Sequence, residues 1–444
     1  MITDPIWRPC TQMKDHETWP PIRIRRGQGI YLWDADGNRY MDAISSWWVN
    51  LLGHCHPRIM EAVRRQTRDL EQVIFAGFTH GPAEDLVARL LHITPPGLTR
   101  VFFADNGSAA VEVALKMSHG FHRNLGRPGR TRFAYLTHGY HGETLGALSV
   151  CGEDLYAELF GGIMLDNARV AGPDCFRCPY GRERVSGGEF CDAPCFEHME
   201  RTLSERGDLA AVILEPLVQC AGDFRMYPPT YLRKLRAATK EAGVLLILDE
   251  IATGFGRTGT MFACEQAGIA PDLMCLSKGV TGGTLPLSLV LATEEIYEAF
   301  YGEWAEMKAF LHSHSYTGNA LACAAAAETL AVLAEEDTIA ANRPKWEHLQ
   351  AAVRERFEPL PYVGEVRCQG FIAAVELVTD RKTREPLDWR GRTGTRIFRE
   401  ALSRGALLRN LPNIVYFMPP YCIDHDQIEE LADIALASTR AVLG

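Results

Sequence analysis

Residues 244–279 read VLLILDEIATGFGRTGTMFACEQAGIAPDLMCLSKG. Residues 244–248 are wholly apolar, as expected of a short strand buried on both faces of a parallel sheet. The run ends in Asp249 and Glu250, and the glycine-bearing loop GFGRTG follows at 254–259. A second apolar run, residues 273–276, ends just before Ser277 and Lys278, which lead into GVTGG at 279–283. The pattern predicts two neighbouring strands of an open α/β sheet, where ligands gather at the carboxyl ends of strands. Asp249 and Lys278, 29 positions apart, would then bring a carboxylate and an amine to one edge.

Such a pair meets the needs of pyridoxal phosphate (PLP). The amine condenses with the aldehyde of the cofactor, and the carboxylate pairs with the protonated pyridine nitrogen and keeps the ring an electron sink. For an isolated Asp and Lys the plainer reading is a loop cap and a solvated charge. The surrounding residues favour the first: LDEIATGFGRTG followed by SKG resembles the core signature of the class III (ω-amino) aminotransferases of PLP fold type I. The resemblance implies an α/β, aspartate aminotransferase-like fold, with a large domain on a mainly parallel sheet and a smaller α+β domain. The expected division is 1–60 (N-terminal part of the small domain), 61–330 (large PLP-binding domain) and 331–444 (C-terminal small domain).

Composition agrees with this class and excludes others. A chain of 444 residues is too long for one simple core. Its 47% hydrophobic and 23% charged residues are those of an ordinary soluble globular protein. The net charge of −10 argues against a nucleic-acid partner and supplies no basic patch for a membrane surface. The sequence MITDPIWRPCTQMKD shows no secretory pattern, and no apolar run approaches the ~20 residues of a membrane span. Thirteen cysteines, an odd and scattered set, suit a reducing compartment, so a cytoplasmic location is expected.

Several further stretches carry chemistry. Residues 30–42 predict a hairpin about the turn DADGN. Trp47 and Trp48 follow in SSWW; one is expected in the core and one at an interface. An apolar strand at 101–103 precedes Asp105-Asn106-Gly107-Ser108 and a helix over 109–122, so Gly107 and Ser108 fall at a helix N-terminus, either a plain cap or an anion site. A strand over 133–136 leads to the loop HGYHGET, where Tyr140 stands between glycines at a sheet edge and either packs the loop or stacks on a ring. A strand over 211–214 ends in Glu215-Pro216. Residues 166–205 predict an inserted, irregular segment. Within it Cys175, Cys178, Cys191 and Cys195 give C-x2-C-x12-C-x3-C, a spacing that resembles a structural zinc site but also suits four reduced thiols on a loop. After Lys278, a strand over 288–292 and the segment FLHSHSYTGN lead into an alanine-rich helix over 320–334, with Ser315 an N-cap by default. Helices over 342–357 and 392–404, strands within 363–378, and two apolar strands flanking Arg409 complete the chain; alone, Arg409 reads as a surface ion pair.

The resemblance assigns roles to these positions. Lys278 holds PLP and moves the proton, Asp249 pairs with the ring nitrogen, and Tyr140 stacks on the ring. Gly107 and Ser108 hold the phosphate, and Ser315 reaches the phosphate of the other subunit, which implies a homodimer with shared active sites. Trp47, Trp48, Tyr140, Arg409 and Tyr416 line the substrate site, with Arg409 on the carboxylate of the keto acid. SSWW-x4-GH-x-HP, WRPCTQM and FAGFTHGPA resemble in particular the members serving biotin synthesis, which move an amino group to 8-amino-7-oxononanoate and give 7,8-diaminononanoate. S-Adenosylmethionine is the expected donor. Lysine is the alternative, because Cys10 stands where users of S-adenosylmethionine often carry Tyr. Glu143 stands where Asp is frequent, Cys220 where Gly is usual, and Asp223 where a small residue is usual. The rival readings are another ω-transaminase, acting on ornithine, 4-aminobutyrate or a diamine, and a PLP-binding regulator without turnover.

Overall fold

The computed structural model describes residues 5–181, 191–409 and 411–444. A seven-stranded sheet organises it. Three N-terminal strands come first: β1 (Ile24–Gln28), β2 (Tyr31–Asp34) and β3 (Arg39–Asp42). The central sheet then collects β4 (Leu98–Ala104), β5 (Arg132–Leu136), β6 (Ala168–Val170) and β7 (Leu209–Leu214). A two-stranded ribbon, β8 (Val218–Gln219) with β9 (Arg225–Met226), precedes its remaining strands, β10 (Leu245–Asp249), β11 (Leu273–Leu276) and β12 (Ser288–Thr293). The spatial order is β4-β12-β11-β10-β7-β5-β6. All neighbours are parallel except β12, which runs against both β11 and β4.

The apolar runs of β7 and β10 are buried throughout because helices cover both faces of the sheet. Alternate residues divide between two cores. Ala211, Ile213, Leu245 and Ile247 pack with the helix Gly107–Asn124, where Ala110, Val113 and Ala114 let it lie close. Val212, Leu214, Leu246 and Leu248 face Tyr231, Leu232 and Leu235 of the helix Pro229–Ala242. This is the two-residue period of a strand with no solvent face.

Two smaller sheets draw on distant parts of the chain. β1, β2 and β3 are joined by β16 (Ala406–Leu407), which pairs in parallel with β3. The expected 30–42 hairpin is the β2–β3 pair. β13 (Val363–Gln369), β14 (Ile372–Asp380), β15 (Glu385–Pro386) and β17 (Ile414–Phe417) form the third sheet. The helix Arg343–Phe357 packs on β13 and β14, and the helices Thr393–Ser403 and His425–Leu443 pack on β16. Among the described residues no helix is long and apolar enough to cross a membrane.

The segment 166–205 departs from the irregular insertion expected of it. Its start is β6, the edge strand of the central sheet, and its end is the helix Glu197–Glu205. Three residues paired with β5 are too short to show a period in the sequence. Residues 182–190 lie outside the described part.

Candidate active site

The carboxyl ends of β4, β10 and β11 meet at one edge of the sheet. Asp249 ends β10 opposite Cys275 of β11. Because β12 reverses direction, its first residue Ser288 lies opposite Ala104, the last residue of β4. Asp249, Lys278 and the helix start at Gly107 therefore gather where the strand pattern put them. Lys278 follows β11 in a left-handed conformation, φ +45. Its Nζ lies 5.1 Å from the centre of the Trp48 ring. Burial pulls the ammonium below its ordinary range, and Asp249, Cys220 and Glu215 partly oppose that pull.

Asp249 is buried and held at both oxygens. Ile251 N–H donates to Oδ1 at 3.0 Å, and His141 Nδ1 lies 2.7 Å from Oδ2. The other ring nitrogen of His141, Nε2, is buried without a partner. Tyr140 precedes it on the same loop; its N–H donates to Glu215 Oε2 at 3.1 Å, and its hydroxyl donates to Glu143 Oε1 at 3.0 Å. Tyr156 donates to the same Glu143 oxygen at 2.8 Å, with Cys10 Sγ at 3.9 Å. Burial raises the Tyr140 hydroxyl far above its ordinary range, and Glu143 adds to the rise. Glu215 also accepts from Cys220 N–H at 3.0 Å, and burial beside Asp249 pushes its carboxyl up to about 8. The sequence reading gave no role to His141, Glu143, Tyr156 or Glu215. His141 and Glu143 do sit in the quoted HGYHGET loop, and Glu215 ends a strand at the same edge, which is the signal that could have found them.

At the neighbouring helix the cap is Asn106, whose side chain accepts from Ala109 N–H at 3.1 Å. Gly107 and Ser108 are the first helical residues, so their N–H groups lie outside the helical ladder. The space around them is close. A Cβ on Gly107 would sit 3.2 Å from Ile251 Cδ1, and one on Gly142 (φ +118) only 2.1 Å from Ser108 Oγ. Ser108 Oγ accepts from Glu143 N–H at 3.2 Å.

Ser315 is not the cap of the following helix, Ala320–Glu335. Asn319 takes that place, accepting from Ala322 N–H at 3.0 Å. A hydroxyl four residues before the cap cannot reach the first-turn donors, so the default expectation is corrected. Ser315 is exposed, and its carbonyl accepts from Gln72 Nε2 at 3.3 Å. Among the described residues no hydrogen bond joins it to Gly107, Ser108 or Lys278.

Trp48 is 5% exposed and Trp47 40%. Trp48 Nε1–H donates to Tyr416 Oη at 3.0 Å. Arg409, half-buried, sets its guanidinium 4.0 Å over the Trp47 ring and 5.9 Å from that of Trp48. Phe224 packs 4.2 Å from Tyr416; it and Asp223 both take positive φ, so this loop adopts a left-handed backbone. Trp47 and Arg409 open onto a cavity of about 460 Å³, lined also by Cys10, Ile44, Leu407 and Leu408. Trp47, Trp48, Tyr416 and Arg409 thus converge beside Lys278.

Cys175 and Cys178 lie on a turn pinned to the third sheet by Arg177, which pairs with Glu376 at 2.5 Å. Burial and the neighbouring Cys191 and Cys178 push the Cys195 thiol up to about 11. Among the described residues no group of three or more His, Cys, Asp or Glu is arranged to hold a metal ion.

Comparison with known proteins agrees with this geometry. The aminotransferase class-III family profile matches residues 12–437. The adenosylmethionine-8-amino-7-oxononanoate aminotransferase of Geobacter sulfurreducens is 44% identical over 441 residues, 99% of this chain and 96% of that protein. The crystal structure of the enzyme of that name from Methanocaldococcus jannaschii superposes with a TM-score of 0.91 at 36% identity, covering 98% of this chain and 97% of that one. An amine transaminase from an uncultivated Pseudomonas species, solved in PLP-bound form, gives a TM-score of 0.91 at 32% identity, with 99% of each chain covered. The lysine and aspartate delivered by adjacent strand ends, on a chain matched almost throughout, place this protein in the class-III aminotransferase family, whose members are PLP-dependent.

Proposed function

We propose that this enzyme binds PLP at the β4–β10–β11 edge and transfers an amino group to 8-amino-7-oxononanoate, giving 7,8-diaminononanoate, with S-adenosylmethionine as the donor and lysine the alternative. The residues present fit the cofactor. Asp249 is a buried acceptor oriented by His141 and Ile251 N–H, suited to a protonated ring nitrogen. The cradle at Gly107, Ser108 and Gly142 excludes side chains and offers helix N-terminal donors to a phosphate. Bound there, PLP supplies an electrophilic carbon and an electron sink for the amino group.

The chain's own groups do the rest. Lys278, its amine made less basic by burial, is the group that holds the cofactor and then moves the proton at its Nζ. Tyr140 covers the ring, its backbone fixed by Glu215 and its hydroxyl by Glu143. The observation that carries the substrate assignment is the Arg409 guanidinium stacked on Trp47, next to Trp48 beside Lys278, with Trp47 and Arg409 opening onto a largely apolar cavity. The guanidinium suits a carboxylate in a bidentate fork, and the cavity suits the alkyl chain of an ω-carboxylate. The names of the relatives support the same substrate.

A homodimer is part of this reading. Leu311 and Tyr316 of the Ser315 loop are 83% and 65% exposed, as suits a loop covered by a second copy whose phosphate Ser315 would reach. A cytoplasmic enzyme without nucleic-acid or membrane partners agrees with the composition. The test is a coupled assay of the PLP-loaded protein with 8-amino-7-oxononanoate and each donor in turn. Formation of 7,8-diaminononanoate is expected; turnover of ornithine, 4-aminobutyrate or diamines with none of this acid would refute the assignment.

A further inference from the structure

Trp47 and Trp48 stand in a backbone that L-residues avoid. Ser45, Ser46, Trp47 and Trp48 follow one another at φ +49, +54, +116 and +68. Such a run persists only where its surroundings over-determine it. The group at its centre is the carboxylate of Asp42, fully buried at the end of β3. Asp42 Oδ1 accepts from Ile44 N–H at 3.2 Å and Ser46 N–H at 3.0 Å. Asp42 Oδ2 accepts from Ser46 Oγ–H at 2.6 Å and lies 2.9 Å from His54 Nε2. Four partners occupy the two carboxylate oxygens, more than a single amide oxygen can accept.

His54 is itself oriented. Its Nδ1 lies 2.7 Å from Asn50 Nδ2, so the ring is held between Asn50 and Asp42. Asn50 N–H returns to the Ser45 carbonyl at 3.1 Å, closing the network around the turn. On its other side Asp42 pairs with Leu407 of β16, and Ala43 N–H donates to the Leu407 carbonyl at 3.1 Å, two residues before Arg409. Asp42 thus holds both halves of the stack, through Ser46 one residue before Trp47 and Leu407 two residues before Arg409.

We propose that Asp42, clamped by His54, is a positioning residue for recognition of the substrate carboxylate. It holds the left-handed turn so that Trp47 presents a flat face to the Arg409 guanidinium and Trp48 stays beside Lys278. The inference rests on the reading of Arg409 as the partner of that carboxylate. Without the clamp the turn relaxes toward ordinary φ, the Trp47 face turns away, and the Arg409 fork loses its fixed plane.

A double-mutant cycle tests this on the PLP-loaded enzyme. Asp42→Asn and Ser46→Ala are made alone and with Arg409→Ala, and KM and kcat are measured for 8-amino-7-oxononanoate. In the native background Asp42→Asn is expected to raise KM about tenfold and Ser46→Ala about threefold, with smaller changes in kcat. In the Arg409→Ala background each should add less than about twofold, because the platform has nothing left to orient. Equal penalties in both backgrounds would overturn the proposal and leave Asp42 as a residue that only holds the fold. Should Asp42→Asn fail to fold, Ser46→Ala runs the same cycle. Binding of heptanoate, followed by tryptophan fluorescence, repeats the comparison without turnover. Loss of that non-additivity counts against the clamp; an unaltered enzyme that binds heptanoate but does not use the keto acid counts against the substrate reading instead.

Discussion

Replacing Glu215 by Gln should change how stability depends on pH. The folded-state carboxyl is pushed up to about 8 from an ordinary 4.5, first by burial and then by Asp249. A carboxyl so raised binds its proton more tightly folded than unfolded. Its contribution is therefore fully present below about 4.5 and is lost as pH rises through about 8. The gap corresponds to roughly 4–5 kcal/mol at its upper limit. Unfolding entropy of about 2.1 cal/mol/K per residue over 444 residues makes 1 kcal/mol worth about 1 °C in Tm. Gln mimics the protonated side chain and still offers one acceptor to Tyr140 or Cys220. PLP-depleted native and Glu215→Gln proteins should thus melt close together at pH 5. By pH 8.5 the variant should lead by about 4 °C. Differential scanning fluorimetry across this range is the assay. Curves that stay parallel from pH 5 to pH 8.5 would show that Glu215 does not carry a proton in the folded state, and the electrostatic reading of this edge would be wrong.

Other outcomes bear on the roles themselves. Borohydride reduction and peptide mapping should find pyridoxyl on Lys278; a label on another lysine would remove it from the centre of the site. Arg409→Ala should cost about 2–4 kcal/mol in kcat/KM for the keto acid while the donor half-reaction changes far less; equal damage to both would make it structural. Lys278→Ala chains mixed with PLP-poor Ser315→Ala chains should recover activity in hybrid dimers, and no gain despite proven subunit exchange would count against a shared site. Half-reactions of the PLP form with S-adenosylmethionine and with lysine should show faster conversion by the former; conversion by lysine alone would reverse the donor assignment and give weight to Cys10.

The parts of the site legible in the sequence were those that end strands. Asp249 and Lys278 each close a short apolar run, so the rule that ligands gather at carboxyl ends located them without any knowledge of neighbours. Gly107 and Ser108 were legible as a strand-to-helix junction. Trp47, Trp48, Tyr416 and Arg409 were not: nothing periodic joins positions more than 350 apart, and only the family resemblance brought them together. His141 and Glu215 act across the sheet edge on Asp249 and Tyr140, contacts fixed by tertiary packing rather than by local propensity. The Ser315 cap gave way to Asn319 because only the residue next to the first turn reaches its free N–H groups. β6 went unseen because three residues do not make a pattern.

The parallel pairing of β16 with β3 sets a timetable for biosynthesis. β1–β3 are complete once residue 42 has been made, yet the strand that covers their open side comes at residues 406–407. At about 5–20 residues per second, the ribosome needs roughly 20–70 s to supply it. Throughout that interval the nascent chain carries an uncovered strand edge, the kind of surface that pairs with other chains. Holdase chaperones that shield such edges should therefore raise the soluble yield of this protein, and a chain truncated before residue 406 should aggregate even though its central seven-stranded sheet is encoded in full.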